Sequence, residues 1–238
     1  MGPSGLFVSH ALDMASTALD RLRLRPVPLV PQIRLLLAED VWVLTARMEA
    51  EAGHALATPF WASAWLGGQG VARYVLDHPQ TVAGLRVLDL AAGSGLVGIA
   101  AGLAGAARVT ANDIDPNAIT AIATNAWYNG VEVNTLLADL VDGDAGDAQV
   151  VLAGDVLYGQ PLADRMLSFL RAAAANGARV IVGDPGRGYA PPDLLPLASY
   201  EIEAVADFSD SELTHTHVLE IPSPQGDHGS AAVRSSAR

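Results

Sequence analysis

The stretch VLDLAAGSG at residues 87–95 constrains the chain more than any other. A short apolar run ends in a cluster of small residues, and an apolar stretch of helical length follows. A strand that turns through glycine into a helix is the opening of a βαβ unit. Small residues let the backbone approach a ligand, and the helix start offers free N–H groups. GSGLVG at residues 93–98 also satisfies the G-x-G-x-x-G spacing of dinucleotide sites, a weak match by itself. Asp113 ends the next strand, where an acid can take both hydroxyls of a ribose. A plain β–α turn accounts for Gly93, Gly95 and Gly98, but not for acids placed on either side of them.

The same alternation continues. Residues 85–90, 108–111, 133–138, 150–153 and 179–182 read as short buried strands, and residues 96–103, 117–128 and 162–175 as helices. This pattern predicts a parallel sheet. Residues 200–208 and 214–221 lack a helix-length crossover, so they read as an antiparallel hairpin at the sheet edge. The expected fold is α/β: a Rossmann-like, doubly wound, mostly parallel seven-stranded sheet with an antiparallel C-terminal hairpin and N-terminal helical decoration. Upstream, residues 13–24 suit a short amphipathic helix, and the three prolines of 25–31 suggest an extended linker. Residues 33–37 are ambiguous, whereas 40–52 and 69–76 read as helices. The domain is expected over 26–221, with residues 1–25 an N-terminal extension open to either an ordered or a disordered reading and 222–238 a disordered tail.

Asp89 bears on which ligand the glycine turn takes. A carboxylate inside a loop facing a pyrophosphate repels it, but suits a ligand with an α-ammonium group. This favours the amino acid end of S-adenosyl-L-methionine over NAD. Formal charge is −12, all 14 basic residues are arginine, and they are scattered. Neither a nucleic-acid face nor a membrane partner is expected. Without cysteine there are no disulfides, zinc thiolates or cysteine nucleophiles. The six histidines show no metal spacing, and His215 and His217 share one strand face. A cytoplasmic monomer is expected.

VLDLAAGSG resembles motif I of the class I, seven-β-strand methyltransferases. The resemblance implies Asp89, Gly93 and Gly95 along the methionine part of S-adenosyl-L-methionine; Ala91 stands where glycine is frequent. NDIDP at 112–116 resembles the second motif, implying Asp113 on the ribose and Ile114 against the adenine. Asp139 matches the acid near the adenine amino group. PFWASAWLGGQ (59–69), ARYVLDHP (72–79), GDVLY (154–158), GDPGR (183–187) and PQIRLLL (31–37) together resemble the electron transfer flavoprotein β-subunit lysine methyltransferases and their bacterial relatives, over roughly residues 27–221.

These flanking pieces also have their own chemistry. Trp65, beside Gly67 and Gly68, suits an indole wall over a cofactor whose approach the glycines permit. Trp61 and Trp65, four apart, equally suit a core pair. Gln69 divides between cofactor contact and helix capping. Asp155 and Tyr158 follow the fourth strand at the carboxyl edge, where open α/β sheets bind ligands. A lysine amine has an unperturbed pKa near 10.4 and arrives protonated. A carboxylate can orient that ammonium, and an aromatic wall can exclude water. Asp155 as an ordinary helix cap is the competing reading. Arg187 suits an acidic patch of a protein substrate, or a local carboxylate.

The expected function is methyl transfer from S-adenosyl-L-methionine to a protein lysine. The resemblance implies the electron transfer flavoprotein β-subunit as acceptor, or a ribosomal stalk protein. A small-molecule N-methyltransferase, an NAD-binding oxidoreductase and a non-catalytic partner-binding relative are the alternatives. Lacking lysine, the chain cannot methylate its own side-chain amines.

Overall fold

The computed structural model describes residues 22–202 and 215–224. Seven strands form one sheet: β3 (Arg86–Leu90), β4 (Arg108–Asp113), β5 (Asn134–Leu137), β6 (Val150–Gly154), β7 (Arg179–Asp184), β8 (Leu195–Glu201) and β9 (His215–Glu220). Their order is β5-β4-β3-β6-β7-β9-β8. The first five are parallel, and β9 runs antiparallel between β7 and β8. The chain winds outward from β3 to β5, then returns to β6 on the other side of β3. The crevice at the carboxyl ends of β3 and β6 is therefore the topological switch point, where such sheets take ligands.

Side chains alternate across each strand. Leu88, Leu90, Val151, Ala153, Val180 and Val182 face α5 (Gln160–Ala175), which buries Ala163, Met166, Phe169 and Leu170 against them. Val87, Val109, Val150, Leu152 and Ile181 face α2 (Leu66–Asp77) and α3 (Leu96–Leu103). The near-continuous apolar runs of β6 and β7 are what a strand covered on both faces requires. Asp89 lies on the α3 face of β3, the side of Val87.

The N-terminal region differs from the expectation. Residues 22–38 are neither helix nor linker but a two-stranded antiparallel hairpin, β1 (Leu22–Val27) and β2 (Val30–Ala38). The expected domain boundary at residue 26 thus falls inside β1. A helix does follow, α1 (Val41–Ala52), started by the Asp40 side chain and closed by Gly53. The outer edge of β2 is held by side-chain amides. Asn125 on α4 (Pro116–Tyr128) and Asn129, the residue that caps it, accept from the N–H groups of Leu36 (2.8 Å) and Arg34 (3.0 Å). Gln69 accepts from the Leu29 N–H at 3.2 Å. An i, i+4 pair on a helix spans about 5–6 Å, close to the two-residue repeat of a strand, so α4 completes an edge that has no partner strand.

Two further boundaries moved. The α2 helix begins at Leu66 rather than 69, and β8 begins at Leu195 rather than 200. Residues 13–21, 203–214 and 225–238 lie outside the described residues, and with them parts of the expected helix, hairpin and tail. No helix of the described residues is long and apolar enough to cross a membrane.

Candidate active site

The glycine loop leaves β3 through three left-handed residues: Ala91 (φ 53°), Gly93 (φ 53°) and Gly95 (φ 83°). Gly95 leads into α3, and a Cβ there would lie 3.2 Å from the Ile122 backbone. Ala91 adopts the same region with a side chain, at a cost of about 1 kcal/mol. Its departure from the glycine common at that position is thus a backbone strain. Asp113 fastens the loop from β4. Its carboxylate accepts from the Gly93 N–H (2.9 Å) and the Asp115 N–H (3.0 Å).

Asp89 is not in the loop. It sits within β3, 1% exposed, and accepts from the Gly98 N–H of α3 at 2.7 Å. A Cβ at Gly98 would stand 3.1 Å from that oxygen. This third glycine therefore makes room for a carboxylate. Burial pushes the Asp89 pKa from 3.8 to about 7; the Gly98 N–H works against the rise and nearby Asp113 adds to it. The side chain has too little surface to touch an ammonium directly, so it can act on one only through its field.

On the other side of the crevice Asp155 follows β6 in a left-handed conformation (φ 62°), rare for a non-glycine residue and worth a functional hypothesis. Its side chain is 4% exposed. One oxygen accepts from the Gly67 N–H at 3.0 Å, in the first turn of α2. The other accepts from Arg187 Nε at 2.7 Å. Asp155 thus caps a helix, but one far back in the chain rather than the segment that follows it. Arg187 takes the local-carboxylate option of its two readings, with its guanidinium carbon 6.0 Å from the centre of the Trp65 ring. Phe60 stands edge-on to Trp65 (5.5 Å) and tilted against Tyr158 (5.9 Å). Tyr158 is half exposed. Its pKa is raised, first by partial burial and then by the charges of Asp113 and Asp155, with Arg187 opposing. It therefore lies in the field of both acids.

Gly67, beside Trp65, is required by the fold. A Cβ on Gly67 would overlap the Gly183 carbonyl and stand 2.6 Å from the Asp155 nitrogen, and one on Gly183 would overlap Gly67 in return. The start of α2 lies directly on the ends of β6 and β7. Gln69 is 0% exposed, its amide spent on the Leu29 N–H and the Ala64 carbonyl (2.7 Å). It joins the hairpin to the aromatic segment and has no surface for a cofactor. Trp61 is a core residue, packed with Leu22, Leu44 and Ala118. Trp65 is partly buried and donates from Nε1 to the Phe60 carbonyl at 2.8 Å.

Ile114, directly after Asp113, is 71% exposed. Asp139 lies beyond β5, exposed, accepting from the Val141 N–H (3.2 Å) and paired with Arg165 (3.3 Å). The glycine loop, Asp113 and Ile114 thus lie on one side of the switch point, with Asp155, Tyr158 and Trp65 on the other. A cavity of about 290 Å³ lies elsewhere, at the opposite ends of β3 and β4, where Asp147 pairs with Arg86 and Arg108. Neither Asp113 nor Asp155 lines it.

Comparison with known proteins decides among the chemistries this crevice allows. A family model for the ribosomal protein L11 methyltransferases (PrmA) matches residues 74–182. The electron transfer flavoprotein beta subunit lysine methyltransferase of Xenopus laevis is 38% identical over 185 residues, covering 74% of this chain and 73% of that protein. The chain belongs to this lysine methyltransferase family. The rat member is 41% identical over 131 residues, 54% of this chain and 51% of its own length, so that match spans about half the relative. A ribosomal protein L11 methylase from Lactobacillus delbrueckii superposes with a TM-score of 0.47 at 20% identity, over 66% of this chain and 79% of the other. The sheet order is that of a class I S-adenosylmethionine-dependent methyltransferase.

The cofactor implied by this lysine methyltransferase fold suits the residues present. Each Asp113 oxygen spends one lone pair on the backbone and keeps another for a ribose hydroxyl. Ile114 offers an uncovered apolar surface beside them. The sequence reading missed Phe60, which joins Trp65 to Tyr158, and Asn125, which is fully buried and donates to the Ser94 carbonyl of the glycine loop at 2.8 Å. Two asparagines four apart on an otherwise apolar helix face were the available signal for the second.

Proposed function

We propose that the protein is an S-adenosyl-L-methionine-dependent protein-lysine N-methyltransferase that works in the cytoplasm. The arrangement of Asp155 carries this reading: a buried carboxylate across the switch point from the glycine loop, whose cationic partner Arg187 lies against the Trp65 ring. The cofactor supplies a sulfonium methyl group. On this chain, Gly93, Gly95 and the Asp113 carboxylate hold its amino acid and ribose portions. Ile114 and Asp139 would hold the adenine. The Asp89 carboxylate favours the methionine ammonium through its field. Trp65 walls the reacting end.

Asp155 orients the incoming ammonium, which must lose a proton to solvent water before its nitrogen lone pair can attack. Phe60 and Tyr158 exclude water around it, and their faces favour the cationic product. Positioning of this kind is a large source of rate in a bimolecular transfer. Phe60 and Tyr158 are also half exposed at the rim. An open aromatic rim suits a lysine presented on a protein surface better than a small metabolite. By the names of its relatives, the acceptor is the electron transfer flavoprotein β-subunit.

The test is transfer of labelled methyl from S-adenosyl-L-methionine into a lysate of the source organism, with Asp155→Asn in parallel. Label on one or two protein bands, reduced at least a hundredfold in the variant, is expected. Label confined to small molecules would overturn the protein substrate and keep the methyltransferase.

A further inference from the structure

Asp155 already holds a cation, and it belongs to the chain itself. Arg187 Nε donates to the outer oxygen of Asp155 at 2.7 Å, while the inner oxygen is committed to the Gly67 backbone. The guanidinium lies 6.0 Å from the Trp65 ring centre. A place where a cation meets both a buried carboxylate and an aromatic ring is one that also binds an alkylammonium, so Arg187 occupies the seat assigned above to the substrate. The two members of the pair are held differently. Asp155 is 4% exposed and fixed to a helix start, whereas the Arg187 side chain is 21% exposed. Arg187 also lies between Gly186 and Gly188, both left-handed at φ 86°, with open space where either Cβ would be. Two glycines flanking one residue leave its backbone free to turn.

We propose that Arg187 is a positioning residue that stays paired with Asp155 until an alkylammonium side chain displaces it. This rests on the lysine reading of the same site. Pairing removes the penalty of an isolated buried charge in the free enzyme. Displacement makes entry selective, because a neutral side chain cannot replace a cation there. The charge at the carboxylate is conserved through the exchange: one cation leaves as another arrives, and no bond is made or broken.

The direct test is ¹⁵N NMR of the arginine Nε–H groups in the full chain with S-adenosylhomocysteine bound. The Arg187 signal is assigned by its loss in Arg187→Lys. The probe is n-butylammonium chloride, a lysine side-chain analogue, with n-butanol and matched sodium chloride as controls. Displacement predicts that the Arg187 Nε–H shifts and exchanges at least tenfold faster with n-butylammonium alone. A signal unmoved at the highest probe concentration would overturn the proposal. In Arg187→Gln, KM for the lysine acceptor is expected to fall severalfold, since no internal cation then competes for Asp155. A lowered kcat with unchanged KM, the behaviour of a merely structural residue, would also overturn it. Methyl transfer to protein with an unmoved Arg187 signal defeats displacement alone. A displaced Arg187 without protein methylation defeats the protein-substrate reading alone.

Discussion

At the scale of single residues, Asp89 makes the most specific demand. Its folded-state pKa is raised by burial from 3.8 to about 7. Between those values the folded chain keeps a proton that the unfolded chain releases. Stability therefore falls as pH rises through that window and levels off above it, at a slope on the order of 1 kcal/mol per pH unit. Asp89→Asn retains an acceptor for the Gly98 N–H without the charge. Urea unfolding at pH 5 and pH 8 is expected to show the variant gaining on wild type at the higher pH; an equal difference at both would refute the assignment. The sequence showed Asp89 as an acid near a glycine turn. It did not show that strand alternation directs the side chain under α3, because that follows from which face α3 covers. Asp113 is different: its position at a strand end was enough to place it at the loop.

At the scale of elements, the join between α2, β6 and β7 is made by backbone meeting backbone. Gly67 and Gly183 each fill the space a Cβ would need on the other, and the Gly183 carbonyl also accepts from the Asp155 N–H at 2.9 Å. Gly67→Ala and Gly183→Ala are each expected to lower stability by about 3 kcal/mol and to shift Asp155, measured as a drop in melting temperature together with lost methyl transfer. Gly84→Ala is a poor control, since its φ of 71° adds strain of its own. Gly68→Ala is better: a Cβ there would meet its nearest neighbour at 3.8 Å. The parallel strands and their helices were legible because each carries its period locally. The hairpin was not. Pro26, Pro28 and Pro31 have the look of chain breakers, and the groups that complete the β2 edge come from Asn125 and Asn129, with Gln69 holding the turn, all distant in sequence. The pairing of Asp155 with Gly67 and Arg187 was hidden for the same reason.

At the scale of the whole molecule, one amide links the N-terminal hairpin to the cofactor half. Asn125 accepts from Leu36 of β2 and donates to Ser94 of the glycine loop. Asn125→Leu fills a similar volume but strands both backbone groups, a loss of about 2 kcal/mol. S-adenosylhomocysteine affinity, measured by calorimetry, is expected to fall severalfold, with faster hydrogen exchange at Leu36. Unchanged affinity would confine Asn125 to packing.

The same dependence has a consequence during synthesis. Leu36 leaves the ribosome 89 residues ahead of Asn125. At about 5–20 residues per second, its N–H waits several seconds for its acceptor. Through that interval the nascent hairpin presents a bare strand edge to every neighbouring chain. Prolines on such an edge offer no N–H to a stray strand. Pro26, paired with Arg34 at a position where β2 turns its own N–H outward, thus makes the free edge of β1 a poorer template for aggregation until the rest of the chain has been made.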